Sequence, residues 1–178
     1  MMEACLHDRQ TWLAAHNITP GLPEPEHRRC YLAIPVQQRR AFERDQARRY
    51  FRELDLCHGA CHLRSPQAAA VVSDALHYHH TTRLLCGDYV VMPNHVHWLL
   101  LPLEGHSLED ILFSVKRWIA GRINTLVGRT GKLWQKESYD HIVRDPDEFN
   151  RIRDYIEQNP GKAKLRASEF LYHRADWV

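Results

Sequence analysis

The 178-residue chain predicts an α+β fold built on a mainly antiparallel sheet, and three observations carry that expectation. Two apolar runs, Leu84 to Met92 and His95 to Pro102, are separated only by Pro93-Asn94, which is turn chemistry and pairs them as a hairpin. Segments opening at Ser107 and at Asp145 carry helix caps followed by apolar residues at helical spacing. A composition of 44% hydrophobic and 26% charged residues supports one sizeable core and requires no second domain.

The elements follow in order. Residues 1–36, with Pro20, Pro23, Pro25 and Pro35, read as an irregular arm, and Gln37 to Leu56 is helical by composition. Ala60 to Arg64 is short enough for a strand, after which Ser65-Pro66 opens a helix to about His79 with Ala70, Val71, Ala75 and Leu76 on one face. The hairpin strands come next. In the helix from Ser107, Leu108, Ile111, Leu112, Val115, Ile119, Ile123 and Leu126 trace a buried stripe until Gly128 stops it. A strand is expected over about Leu133 to Val143. In the last helix Asp145 caps, Pro146 takes the first position, Glu148 reaches back, and Pro160 sets an end near Asn159.

From residue 60 the order is strand, helix, strand, strand, helix, strand, helix, the split β-α-β arrangement of ferredoxin-like domains with a closing helix. The chain divides accordingly into an arm and helix at 1–56, a main domain at 57–168 and a C-terminal tail at 169–178.

Composition excludes several function classes. The apolar runs are far too short to cross a bilayer, and acidic and polar residues stand where a signal peptide needs an apolar stretch, so a cytoplasmic protein without a membrane partner is expected. Five cysteines at irregular spacing argue for reduced thiols rather than a disulfide framework. Cys57-His58-Gly59-Ala60-Cys61-His62 invites zinc, but a second cysteine pair at finger spacing is lacking.

Chemistry concentrates in three places. His95 and His97 lie in an otherwise apolar run, and strand geometry puts both on one face with Cα atoms roughly 7 Å apart, which suits two ligands of one metal ion. Histidines on a solvated strand face, or satisfied within a core, give the same pattern. Between Ser114 and Lys136, Lys116, Arg117, Arg122, Arg129, Lys132 and Lys136 stand without an acidic residue, a candidate polyanion contact with Trp118 and Trp134 as candidate base-stacking platforms. The arginines between Arg39 and Arg52 are diluted by Glu43, Asp45, Glu53 and Asp55 and read as a solvated helix. In the last helix Tyr155 and Asn159 are four residues apart, on one side if its final turn stays helical. Their alternative readings are a stripe residue and a helix cap.

Met92-Pro93-Asn94-His95-Val96-His97, Leu133-Trp134-Gln135-Lys136-Glu137-Ser138-Tyr139-Asp140-His141-Ile142-Val143-Arg144-Asp145 and Tyr155-Ile156-Glu157-Gln158-Asn159-Pro160-Gly161-Lys162-Ala163 together resemble the REP-associated tyrosine transposases. These belong to the HUH single-strand endonucleases with one catalytic tyrosine. The resemblance spans about residues 57–168 and implies that His95 and His97 are metal ligands, Tyr155 is the nucleophile and Asn159 a further ligand. It also implies single-stranded or hairpin DNA of palindromic repeats as substrate, and a homodimer. Gly161 stands where the family usually has Val, and the family's Tyr/Arg-rich first strand is missing from the N-terminus.

Two neutral imidazoles and an amide oxygen suit Mg²⁺ or Mn²⁺ loaded with a phosphate, where the ion withdraws charge from a phosphodiester. A phenol with a pKa near 10 is a poor nucleophile unless its proton leaves during attack. Tyr139, two residues from His141, is the rival nucleophile. Two other classes fit the residues: a catalytically silent, transposase-derived protein that binds DNA hairpins, and a metal-dependent hydrolase that activates water and leaves no protein-linked DNA.

Overall fold

The computed structural model describes residues 2–135 and 138–176, which fall into two compact units, Met1–Leu56 and Cys57–Val178. The first is helical, with α1 at Met2–Ala15, α2 at Glu24–Ala33 and α3 at Val36–Asp55. This corrects the irregular arm expected at residues 1–36. The prolines flank or open these helices instead of breaking them: Pro23 precedes α2, Pro25 lies in its first turn, and Pro35 precedes α3. Trp12 of α1 stacks on Phe42 of α3 with ring centroids 4.1 Å apart, and Arg49 of α3 donates to Asp8 of α1 at 3.1 Å.

The second unit is α+β. Its elements are α4 (Pro66–His77), β1 (Leu84–Val91), β2 (Val96–Pro102), α5 (Leu108–Leu126), α6 (Pro146–Lys162), a 3-10 turn at Ala167–Glu169 and β3 (Leu171–His173). The sheet has the order β2-β1-β3 with both pairings antiparallel. The three helix starts legible in the sequence are capped as expected: Ser65 Oγ accepts from Ala68 N at 3.2 Å, Ser107 Oγ from Asp110 N at 3.1 Å and Asp145 Oδ1 from Glu148 N at 2.7 Å.

Three expectations are overturned. Residues 60–64 form turns instead of a strand. The described residues of the stretch 133–143 form no strand either: Leu133 and Trp134 pack on the core, but Tyr139 and Ile142 stand 46% and 76% exposed, so no continuous packed face rewards pairing there. The final strand is instead β3, supplied by the segment read as a tail, where Leu171 to His173 pair with Val91 to Tyr89. The split β-α-β order therefore lacks its first and fourth strands as drawn from the sequence.

Sidedness on the sheet comes from an irregularity in β1. The register shifts between Cys86 and Tyr89, so strict alternation is broken there. Leu84, Cys86, Tyr89 and Val91 pack with Ala68, Val72, Leu76, Ile111, Val115, Ile119 and Ile123 of α4 and α5. Val90 and Met92 turn the other way and pack on Ile156 and Ile152 of α6. Gly87 sits within the irregularity, where an added Cβ would lie 2.9 Å from the Leu99 carbonyl oxygen. That close approach of two backbones admits only glycine.

Candidate metal and tyrosine site

The hairpin turn sets the first part of the site. Met92 N donates to the His95 carbonyl at 2.9 Å across Pro93-Asn94, which brings His95 to the mouth of the turn, and Val90 pairs with His97 one step into the ladder. Because Val90 faces α6, so does His97. The two rings meet at right angles, 86° between planes, with their Nε2 atoms 3.1 Å apart. Burial pushes His95 down to about 3, with His97 beside it adding to the effect, and burial pushes His97 down to about 4. Both imidazoles are therefore neutral near pH 7, the form that offers a lone pair.

That separation fits a shared cation. Two nitrogens at about 2.1 Å from one ion are about 3.0 Å apart at an octahedral right angle and about 3.4 Å apart at the tetrahedral angle. The observed 3.1 Å lies between these values.

Helix α6 brings the tyrosine. The helix is fixed to β1 through Asp88, which is 1% exposed and accepts from Arg153 Nε at 2.8 Å and Nη2 at 3.2 Å, and from Ala175 N at 2.9 Å. A buried carboxylate met by a two-pronged guanidinium holds both position and rotation. On a helix Arg153 and Tyr155 fall on opposite flanks of the stripe made by Ile152 and Ile156, so the anchor on β1 turns Tyr155 toward β2. There the Tyr155 ring meets the His97 ring edge to face, centroids 5.1 Å apart, and its hydroxyl oxygen is shielded from solvent. Lys162, two turns on, places Nζ 4.9 Å from the centroid of the same ring.

Asn159 completes the helix side. Contrary to the end expected at Asn159, α6 continues through Pro160 to Lys162, closing with Ala163 N on the Asn159 carbonyl at 3.0 Å and Leu165 N on the Pro160 carbonyl at 3.0 Å. Lys164, at φ +55°, then turns the chain away. Tyr155 and Asn159 thus stand one helical turn apart. The Asn159 side chain is fully buried, and neither its oxygen nor its nitrogen has a hydrogen-bond partner among the described residues. A buried amide without a partner costs about 1–3 kcal/mol, so its persistence points to a polar ligand.

The other sequence candidates sit elsewhere. Lys116 Nζ donates to Gln135 O at 3.3 Å and to Ser138 Oγ at 3.0 Å, while Trp134 donates Nε1 to the Lys116 carbonyl at 3.0 Å and packs against the core, so both tie the loop to α5. Arg129 donates to Lys132 O at 3.0 Å. Arg117 and Arg122 are exposed on α5, and the Arg122 guanidinium lies over the 47%-exposed Trp118 ring. Lys136 lies outside the described residues. Because α5 packs on the face of β1 opposite α6, this basic surface and the histidine pair occupy different layers. Near Tyr139, His141 is paired with Glu148 at 2.9 Å. In the Cys57–His62 segment, Cys61 Sγ donates to the Cys57 carbonyl at 3.0 Å, and no metal-binding cluster forms within it among the described residues. Among the described residues Cys30, Cys57, Cys61 and Cys86 form no disulfide. No helix among the described residues is long and apolar enough to cross a membrane.

Asp88, Arg153 and Lys162 went unread in the sequence, and Asn94 was read as turn chemistry alone. Of the first three, only Lys162 left a signal, its seven-residue spacing from Tyr155 on one helical face.

Comparison with known proteins adds one relative. An uncharacterized protein of Haemophilus influenzae is 28% identical over 41% of this chain, and the match spans 52% of that protein, about half its length. No family model and no solved structure matches.

Proposed function

We propose that this protein is a divalent-metal-dependent single-stranded DNA endonuclease and strand transferase of the tyrosine transposase kind, acting on hairpins of palindromic repeats through a 5′-phosphotyrosine. The observation that carries the reading is the edge-to-face approach of the Tyr155 ring, at 5.1 Å, to one of two neutral imidazoles whose Nε2 atoms are 3.1 Å apart. The resemblance of the three motifs supplies the substrate class.

His95 Nε2, His97 Nε2 and the amide oxygen of Asn159 are the donors that would hold Mg²⁺ or Mn²⁺. When bound, the ion neutralises charge on a non-bridging phosphate oxygen and orients the phosphodiester. Tyr155 Oη attacks phosphorus and gives up its proton as the new O–P bond forms and the P–O3′ bond breaks. The leaving oxygen takes up a proton and departs as a free 3′-OH, while the 5′-phosphate stays on Tyr155. The Lys162 ammonium lies over the Tyr155 ring, 4.9 Å from its centroid. Because the phosphodiester energy is conserved in the new bond, a second 3′-OH can reverse the step and rejoin strands. Strand β2 is at the edge of the sheet, so a flexible single strand crossing it reaches both the α6 layer and the basic surface of α5.

Incubation of the protein with a 3′-labelled hairpin oligonucleotide and Mn²⁺, followed by a denaturing gel, tests this. A slow protein-linked band from the wild type and from Tyr139→Phe, absent from Tyr155→Phe, is expected. Cleaved DNA with no linked protein in any variant would point to a water-activating hydrolase instead.

A further inference from the structure

The turn residue Asn94 holds two hydrogen bonds whose directions determine each other. One runs between Asn94 Nδ2 and the carbonyl oxygen of His58 at 3.0 Å, and a carbonyl only accepts, so the amide nitrogen faces His58. The amide oxygen then faces His95, 2.7 Å from Nδ1. An amide oxygen carries no proton, so His95 must donate from Nδ1. That leaves its lone pair on Nε2, the atom turned toward His97 Nε2 at 3.1 Å.

We propose that Asn94 is a positioning residue that locks His95 in the Nδ1–H tautomer, with the His58 carbonyl keeping the amide in its working orientation, so that His95 Nε2 is held bare as a cation ligand. This rests on reading His95 and His97 as a metal pair. Free histidine in water favours the opposite tautomer, with the proton on Nε2, so without the Asn94 oxygen a cation would have to displace a proton from His95 Nε2 as well as the one that His97 Nε2 donates across the 3.1 Å contact. A partner on the far ring nitrogen of a ligating histidine also fixes ring orientation and raises ligand basicity, and loss of such a partner lowers metal affinity about 10–100-fold.

Long-range ¹H–¹⁵N correlation spectra of ¹⁵N-histidine-labelled, metal-stripped protein read the tautomer directly, with no cation or DNA present. Wild type and Asn94→Asp, which retains an acceptor oxygen, are expected to show His95 protonated at Nδ1. Asn94→Leu is expected to shift His95 toward the Nε2–H form and to weaken Mn²⁺ binding about 10–100-fold by calorimetry, with Asn94→Asp within a few-fold of wild type. A wild-type His95 protonated at Nε2 overturns the proposal even if the leucine variant does not fold. A tautomer that switches while Mn²⁺ affinity stays unchanged overturns the link between Asn94 and cation binding. If His95→Ala and His97→Ala leave Mn²⁺ binding untouched, the metal reading itself fails, independently of the spectra.

Discussion

The two faces of β1 are packed to different rules. Toward α4 and α5 the layer is hydrocarbon from Leu84 to Val91, and its polar atoms are answered: Tyr89 Oη lies 2.7 Å from Ser73 Oγ and 3.1 Å from His77 Nε2, and Trp98 donates Nε1 to Cys86 Sγ at 3.3 Å. Toward α6 only Val90, Met92 and Ile156 form a buried apolar cluster. Around them stand a buried carboxylate, two neutral imidazoles, a shielded phenol and a carboxamide with both polar atoms unanswered. Stable cores avoid such a population, because an unpaired buried amide or charge costs as much as a good hydrophobic contact contributes. One face is closed by hydrocarbon, and the other gathers buried polar groups, of which the Asn159 carboxamide has no hydrogen-bond partner among the described residues.

The sharpest way to break this contrast is to remove the chemistry without touching the packing. Tyr155→Phe deletes one oxygen and should abolish covalent DNA linkage on a denaturing gel while shifting Tm by only a few degrees. A substitution on the opposite face should do the reverse. Ile119→Ala, 2% exposed among α4 and α5, should lose about 2–5 kcal/mol in urea unfolding, with adduct formation surviving in the folded fraction. Asp88→Ala belongs with the α6 face and should harm both properties. It strands the nearly buried Arg153, costing about 3–5 kcal/mol, and frees α6 to rotate Tyr155 away from His97.

Acid loads both faces, since burial also lowers His77 on the α4 side, but the α6 face carries the larger shifts. His95 and His97 bind protons only near pH 3 and 4 in the folded chain but near 6.5 when unfolded, so the unfolded state takes up more protons throughout that interval. Their neutral burial is fully compatible with folding above pH 6.5, and stability should fall as pH drops from there toward 4. A His95→Gln, His97→Gln double variant should flatten that part of a Tm-against-pH curve. The smallest expected effect has the opposite sign. Asn159→Leu removes the unanswered amide at similar volume and should raise stability by about 1 kcal/mol in denaturant melts while weakening Mn²⁺ binding. Such a gain would mark Asn159 as retained for a ligand, and a loss would mark it as part of the packing.

What the sequence disclosed follows the same division between local and non-local physics. The hairpin and the starts of α4, α5 and α6 were legible because turn residues and caps act within a few positions. The histidine pair and the helical spacing of Tyr155 and Asn159 were legible for the same reason. Strand β3 was not, since three residues cannot show a period and its pairing with Val91 bridges some eighty positions. The false strand at 133–143 arose from a run whose first members, Leu133 and Trp134, pack on the core while Tyr139 and Ile142 are left in solvent. Helix α2 was hidden by the prolines that precede and open it. The facing of Asp88 toward Arg153 depends on the register shift at Gly87, which no alternation pattern reveals.

The most direct measurement is the chemical identity of the linkage. Protein reacted with hairpin DNA and Mn²⁺ is digested with nuclease and protease, and the modified peptide is sequenced by mass spectrometry. The account predicts a nucleotide attached through its 5′-phosphate to Tyr155. A nucleotide on Tyr139, or a tyrosine joined to a 3′-phosphate, would contradict it.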